Sequence, residues 1–222
     1  MPLILNIDTA LETASICLAK NGIVLHTAAN KEQKDHASWL QTAIAELIQI
    51  SEFELKDINA IAVTIGPGSY TGLRVGLSSA KGLCYALNIP LIAVSTLELM
   101  AYAAQNLEAD LLCPMIDARR MEVYTAVYTK SLKEVIRPHA MVLNKDFLSG
   151  LLNSNTILIF GNGSNKSLAF LNHGNAIFAE VFFDASNMAT MTLEYFVLGR
   201  FADIAYCEPA YLKEFFHLPA SH

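Results

Sequence analysis

The sequence predicts an α/β protein built twice over, each half opening with three hairpin-connected strands and continuing with alternating helices and strands. Three observations lead there. Short apolar runs at Leu3 to Ile7, Ser15 to Ala19 and Ile23 to Ala28 open the chain, the last two joined by Asn21-Gly22, the strongest short-range hairpin signal. The pattern restarts at Leu111, where Leu112-Cys113-Pro114-Met115-Ile116-Asp117 echoes Ile4-Leu5-Asn6-Ile7-Asp8 as a strand ending in aspartate. Each half also carries a glycine-rich loop between a strand and a helix, Gly66 to Gly76 in the first and Gly161-Asn162-Gly163-Ser164 in the second.

The elements follow in order. After the first hairpin, Asp35 is an N-cap for a helix from His36 to Ile50, with Leu40, Ala43, Ile44, Leu47 and Ile48 on one apolar face and Trp39 beside it. A strand at Ile61 to Ile65 leads through the glycine loop into a helix that reaches Leu87. Pro90 introduces a strand from Leu91 to Val94, and Thr96 starts a helix to about Asn106. In the second half, strands are expected at Val123 to Tyr128 and Val135 to Val142, a helix at Lys145 to Leu152, and a strand at Ile157 to Phe160. A short helix follows the second glycine loop, then a strand at Ile177 to Phe182 and a long helix from a Ser186 cap to about Ala205. That order describes a duplicated actin-like, or ribonuclease-H-like, ASKHA fold of two lobes facing across a cleft. The boundary is expected near Gln105, giving lobes 1–105 and 106–222, with the last helix packing back on the first lobe.

Loops of this kind bind anions at the helix N-terminus, and Ser69 and Thr71 are available as caps. Two nucleotide loops are excluded by spacing. A Walker A loop needs Lys-Ser/Thr after its last glycine, whereas Gly72 precedes Leu73; a dinucleotide fingerprint needs glycine where Thr71 stands. A tight turn with a capped helix and a phosphate site both remain open. Gly72, Gly76 and Ala80 recur every fourth residue along the helix, and Ser78, Gly82 and Ala86 repeat this one face over. Because glycine inside a helix costs about 1 kcal/mol against alanine, another backbone is expected very close, from this chain or from another.

Composition narrows the function. Hydrophobic residues make up 53% of the 222 and charged residues only 16%, an apolar excess that suggests a buried contact with a partner. The net charge of −6 and the lack of any Lys/Arg run argue against autonomous nucleic-acid binding, so the isolated protein is expected to hold a nucleic acid weakly. Cys17, Cys84, Cys113 and Cys207 form no C-x-x-C pair, and the six histidines no H-x-x-x-H pair, since Leu40 stands four residues after His36. With no secretory signal and no apolar run near the roughly 18 residues that span a bilayer, a cytoplasmic protein without membrane contact is expected. Asp8 and Asp117 occupy corresponding positions and could orient a metal-bound nucleotide, as in actin-like kinases. Neither is followed by the glycine a phosphate loop would carry, which favours the alternative that both cap the turn after their strands.

Five motifs together resemble the TsaB (YeaZ) family: Ile7-Asp8-Thr9; the run Gly66 to Gly76; Ser95-Thr96-Leu97-Glu98; Ile116 to Tyr124, with Asp117-Ala118-Arg119 and Glu122-Val123-Tyr124; and Glu208-Pro209-Ala210-Tyr211-Leu212. The resemblance implies a non-catalytic subunit of the bacterial complex that forms N6-threonylcarbamoyladenosine in tRNA next to the anticodon. It implies pairing with the catalytic paralogue TsaD through two helices from each partner, a further ATPase partner TsaE, and a homodimer through the same surface when alone. tRNA is met through the complex. No catalytic, metal or cofactor residue is implied for this chain alone, with ATP or ADP entering only in the complex; the paired metal histidines of TsaD are not carried over, because Leu40 replaces one of them. The docking helices would be His36 to Ile50 and Gly72 to Leu87, with interface roles for Trp39, Leu40, Ala43, Leu47, Gly72, Val75, Gly76, Ser79 and Leu83. The alternative from another class is an actin-like ATP-dependent kinase or ATPase.

Overall fold

The computed structural model describes residues 1–31 and 36–213, so the Asp35 cap expected for the first helix lies outside the described residues. The chain forms two units, Met1–Leu107 with Glu180–Ala210, and Glu108–Ala179 with residues 211–213.

The first unit is built on a sheet of β1 (Leu3–Asp8), β2 (Ala14–Lys20), β3 (Ile23–Asn30), β4 (Ala60–Gly66) and β5 (Leu91–Ser95), in the order β3-β2-β1-β4-β5. Strands β1, β2 and β3 pair antiparallel, while β4 lies parallel to β1 and β5 parallel to β4. Every residue of β1 is buried, which is why it reads as a nearly unbroken apolar run rather than an alternation. Leu3, Leu5 and Ile7 point to the face covered by α1 (His36–Ile50) and α2 (Tyr70–Leu87), in one core with Leu40, Leu47 and Leu77. α3 (Thr96–Ala104) packs on β4 and β5.

The second unit repeats the plan. Its strands are β6 (Leu111–Asp117), β7 (Glu122–Thr129), β8 (Glu134–Val142), β9 (Ile157–Phe160) and β10 (Ala176–Phe178), in the order β10-β9-β6-β7-β8. β6, β7 and β8 are antiparallel neighbours, and β9 and β10 continue in parallel on the other side of β6. Its core gathers Cys113, Met115, Val123, Val127, Ile157 and Ile159 against Phe147 and Leu152. Two sheets with one strand order make this a duplicated actin-like α/β fold.

Several elements are shorter than their sequence signals. Only α4 (Ser149–Leu152) is helical in the stretch from Lys145, because Leu148 sits at φ 60° and breaks the helix before it starts. The strand expected over 177–182 is β10 alone. The final helix, α5, spans Met188–Val197 and not 186–205. Gly199 at φ +66° stops it, Arg200 N–H returns to Tyr195 O at 2.8 Å, and Ala202 N–H then bonds Leu91 O at 2.8 Å along β5. Ser186 is no cap; Asp184 accepts its N–H at 2.7 Å and closes a short turn ahead of α5. α5 lies in the first unit, where Thr192 Oγ1 donates to Asn6 Oδ1 at 2.8 Å from the sheet face opposite α1 and α2. Among the described residues no helix is long and apolar enough to cross a membrane.

Candidate docking face and strand-end loops

The glycine loop after β4 folds onto the loop after β1. Ser69 caps α2 by accepting Gly72 N–H at 3.3 Å, and its own N–H is spent on Ala10 O at 2.7 Å. A Cβ on Gly68 would lie 2.3 Å from Ala10 O, one on Gly72 2.1 Å from Thr9 O, and one on Gly76 2.3 Å from Thr9 Oγ1. Thr9 Oγ1 in turn donates to Gly72 O at 2.7 Å. The backbone that comes close to Gly68 and Gly72 is therefore the turn at Thr9 and Ala10 of this chain, and Gly76 meets the Thr9 side chain. The actin-like fold raises the question of a nucleotide phosphate here, and these residues do not fit one held between the two loops. Backbone occupies that room, and the N–H groups of Ser69 and Gly72 already have acceptors.

The paired aspartates are engaged in the same local way. Asp8 is 2% exposed, and its Oδ1 accepts Ala10 N–H at 3.1 Å and the Thr64 hydroxyl at 2.7 Å. Asp117 Oδ1 accepts Arg119 N–H at 2.6 Å and pairs with the Lys166 ammonium. The Lys166 hydrogen bond is the main force holding the Asp117 carboxyl below the usual carboxylate range. Asp117 N–H meets Asn162 Oδ1 at 2.9 Å, and a Cβ on Gly163 would lie 2.9 Å from the Ile116 carbonyl carbon, so the second glycine loop also closes on the end of its neighbouring strand. Burial raises the Cys17 and Cys113 thiols to about 12 and Cys84 to about 11, which removes them as nucleophiles near neutral pH. Leu40 is fully buried in the core, and no group of three potential metal ligands occurs among the described residues.

The nine expected interface residues divide in two. Leu40, Ala43 and Leu47 are packed in the core beneath α1, and Gly72 and Gly76 face Thr9, so these five serve the chain's own interior. Trp39, Val75, Ser79 and Leu83 are half-buried at the rim. The second small-residue stripe of α2, Ser78, Gly82 and Ala86, is the one that faces out, with Tyr85 84% exposed beside it. Among the described residues nothing lies within 4 Å of where a Gly82 Cβ would stand. Gln41 Nε2 donates to Ser79 Oγ at 2.8 Å and ties α1 to α2, and a shallow groove runs between Gln41, Ser78, Ser79, Gly82 and Leu83. Gln41, Ser78, Gly82 and Tyr85 are thus the surface residues that the expected set lacks. The signal for them was the Ser78/Gly82/Ala86 repeat itself.

Charge is sparse on this face. Glu46, Arg74 and Lys81 are the acidic and basic residues of α1 and α2. Arg74 lies over the Tyr70 ring at 4.0 Å, and Lys81 Nζ reaches Cys207 O at 3.1 Å. An exposed helix pair with so few free charges is built like the core of an interface.

Known proteins resemble the chain as a whole in sequence and fold. The family model described as TsaD, tRNA N6-adenosine threonylcarbamoyltransferase, matches residues 14–206. The tRNA threonylcarbamoyladenosine biosynthesis protein TsaB of Bacillus subtilis (strain 168) is 35% identical over 159 residues, covering 71% of this chain and 69% of that protein. The TsaB protein of Escherichia coli (strain K12) is 30% identical over 227 aligned positions, covering 95% and 94%. The solved structure of YeaZ from Pseudomonas aeruginosa shares the fold at a TM-score of 0.79 and 24% identity, over 96% of this chain and all of that one. A second Pseudomonas aeruginosa structure, described as similar to peptidase YeaZ, superposes at a TM-score of 0.86 with 23% identity over 96% and 100%. With 30% identity over 95% of the chain in one relative and 35% over 71% in another, the matches establish that it belongs to the TsaB (YeaZ) family.

Proposed function

We propose that this chain takes part in forming N6-threonylcarbamoyladenosine in tRNA as a non-catalytic subunit that docks the transferase TsaD through the outer face of α1 and α2. The observation that carries this reading is the outward stripe Ser78/Gly82/Ala86 on a helix pair nearly free of mobile charge. Among the described residues glycine at 82 has no neighbour to accommodate, and it allows a partner helix to approach α2 at backbone distance. The strand-end loops support the non-catalytic part, because Asp8, Asp117 and both glycine loops are spent on holding their own turns. Alone, two copies would cover the same face against each other; TsaE and tRNA would join the assembly, in the cytoplasm.

Light scattering of the chain, alone and mixed with TsaD from the same organism, tests this. Gly82→Leu is the informative variant, since a Cβ at this exposed position meets no described atom and the fold is expected to stay intact. The expected result is a one-to-one complex with the wild type and none with Gly82→Leu, at an unchanged thermal midpoint. Equal complex formation by both proteins would remove the face from the interface. A wild-type chain that ignores TsaD and hydrolyses ATP by itself would replace the docking reading altogether.

A further inference from the structure

The turn between β6 and β7 carries two arginines in a conformation that arginine disfavours. Arg119 is at φ 67° and Arg120 at φ 49°, consecutive residues in the left-handed region where a Cβ crowds the backbone. The chain contains its own comparison. The β2–β3 hairpin also places two consecutive residues in this region, Asn21 at φ 52° and Gly22 at φ 77°, and there it uses the pair that the geometry favours. Nothing in the packing explains arginine at the second turn, because Arg119 and Arg120 are both exposed at its tip. Residues held in costly conformations at an exposed tip point to side chains kept for what they contact.

The surrounding charges free the pair for an anion. Asp117 is matched by Lys166, and Glu122 is matched by Lys213. Among the described residues neither arginine has an ion-pair partner. The β6–β7 hairpin thus ends in two exposed guanidinium groups with no ion-pair partner among the described residues, Arg119 being only near enough to Asp117 to help lower its carboxyl, on a protein whose net charge is −6. Guanidinium is the planar fork that binds phosphate oxygens through two parallel hydrogen bonds, and paired arginines span successive phosphates of a backbone. We propose that Arg119 and Arg120 form an RNA-phosphate contact that grips the tRNA backbone while the assembly works on the base. An RNA is favoured over an acidic protein surface because tRNA is the substrate named for the family model and for the relatives. The inference rests on the proposed place of the chain in a tRNA-modifying assembly.

The test uses the double variant Arg119→Asn/Arg120→Gly, which relieves the backbone while removing both charges. Binding of an unmodified tRNA transcript is followed by fluorescence anisotropy across a salt series, with the chain alone at low salt and with the chain assembled on TsaD. The expected result is weaker tRNA binding in both settings, with the slope of log affinity against log salt shallower by about 2, and an unchanged TsaD complex by light scattering. Unchanged affinity and slope would overturn the proposal. So would a variant that binds tRNA as the wild type does but loses TsaD, which would make the tip a protein contact. If the wild-type chain fails to join TsaD, the docking reading falls separately, and the isolated chain still decides the arginines by whether its salt slope drops.

Discussion

At the scale of single residues, the glycines of α2 do opposite jobs and should respond oppositely to the same methyl group. Gly82→Ala adds a Cβ to open space and removes the entropy cost of glycine inside a helix, so it should stabilise the isolated chain by about 0.5 to 1 kcal/mol. Gly72→Ala drives its Cβ to 2.1 Å from the Thr9 carbonyl oxygen, a backbone atom that cannot swing aside, and should cost on the order of 1 to 3 kcal/mol. Urea midpoints of the two variants check both signs, and a destabilised Gly82→Ala would mean that α2 is covered within the chain itself. The same residues show how far the sequence could be read. Two small-residue stripes on one helix were visible, and so was the need for a close backbone. Which stripe faces outward was not, because α2 lacks the charged residues that mark a solvated face: Arg74 is over a tyrosine ring and Lys81 is turned onto backbone carbonyls. Leu40, Ala43 and Leu47 were similarly ambiguous, since an apolar helix face suits a core and a docking surface equally well. Core won because β1 and β2 needed cover on that side.

At the scale of elements, the hairpin β6–β7 is fastened to the second glycine loop by Lys166, which meets both the Asp117 carboxylate and Glu122 O at 3.1 Å. Because the folded carboxyl of Asp117 titrates below its unfolded value, the attachment contributes stability fully above the ordinary carboxylate range, near pH 4, and loses it as pH falls through the lower folded value. Asp117 is 43% exposed, so solvent screens the pair and the effect is small. Thermal midpoints of wild type and Asp117→Asn should therefore differ at pH 6 to 7 and converge as pH drops towards 3. A gap that widened in acid would mean that the carboxylate is held by something other than Lys166 and its backbone partner. Element ends were the part of the fold least legible in sequence, for reasons that differ by site. Gly199 was a stop signal in plain view, yet apolar residues such as Phe201 and Ala202 continued beyond it because that segment bonds to the edge of β5. Leu148 carried no signal at all, since a buried leucine in the left-handed region is set by tertiary packing.

At the scale of the whole molecule, repetition is what the sequence announced most clearly. The aspartate-ended strands, the hairpins and the glycine loops recur in the same order, and both sheets carry the same strand order. Each unit has its own core, and the cysteines are natural reporters of them: Cys17 and Cys84 lie in the first, Cys113 in the second, and Cys207 is only half-buried beside Lys81. With the three core thiols pushed up to about 11 or 12, the native chain should expose one slowly reactive thiol to an aromatic disulfide reagent at neutral pH. Its reaction should run below the rate of a free cysteine, since burial also raises Cys207. Denaturant should bring the count to four, and Cys207→Ser should leave the native chain silent. If TsaD docks on the α1/α2 face as proposed, the same thiol gains a second use, because Lys81 of α2 holds the Cys207 carbonyl. A partner seated over Tyr85 and Gly82 should slow Cys207 labelling in the wild type and leave it unchanged in Gly82→Leu. Equal labelling with and without bound TsaD would place the contact elsewhere on the molecule.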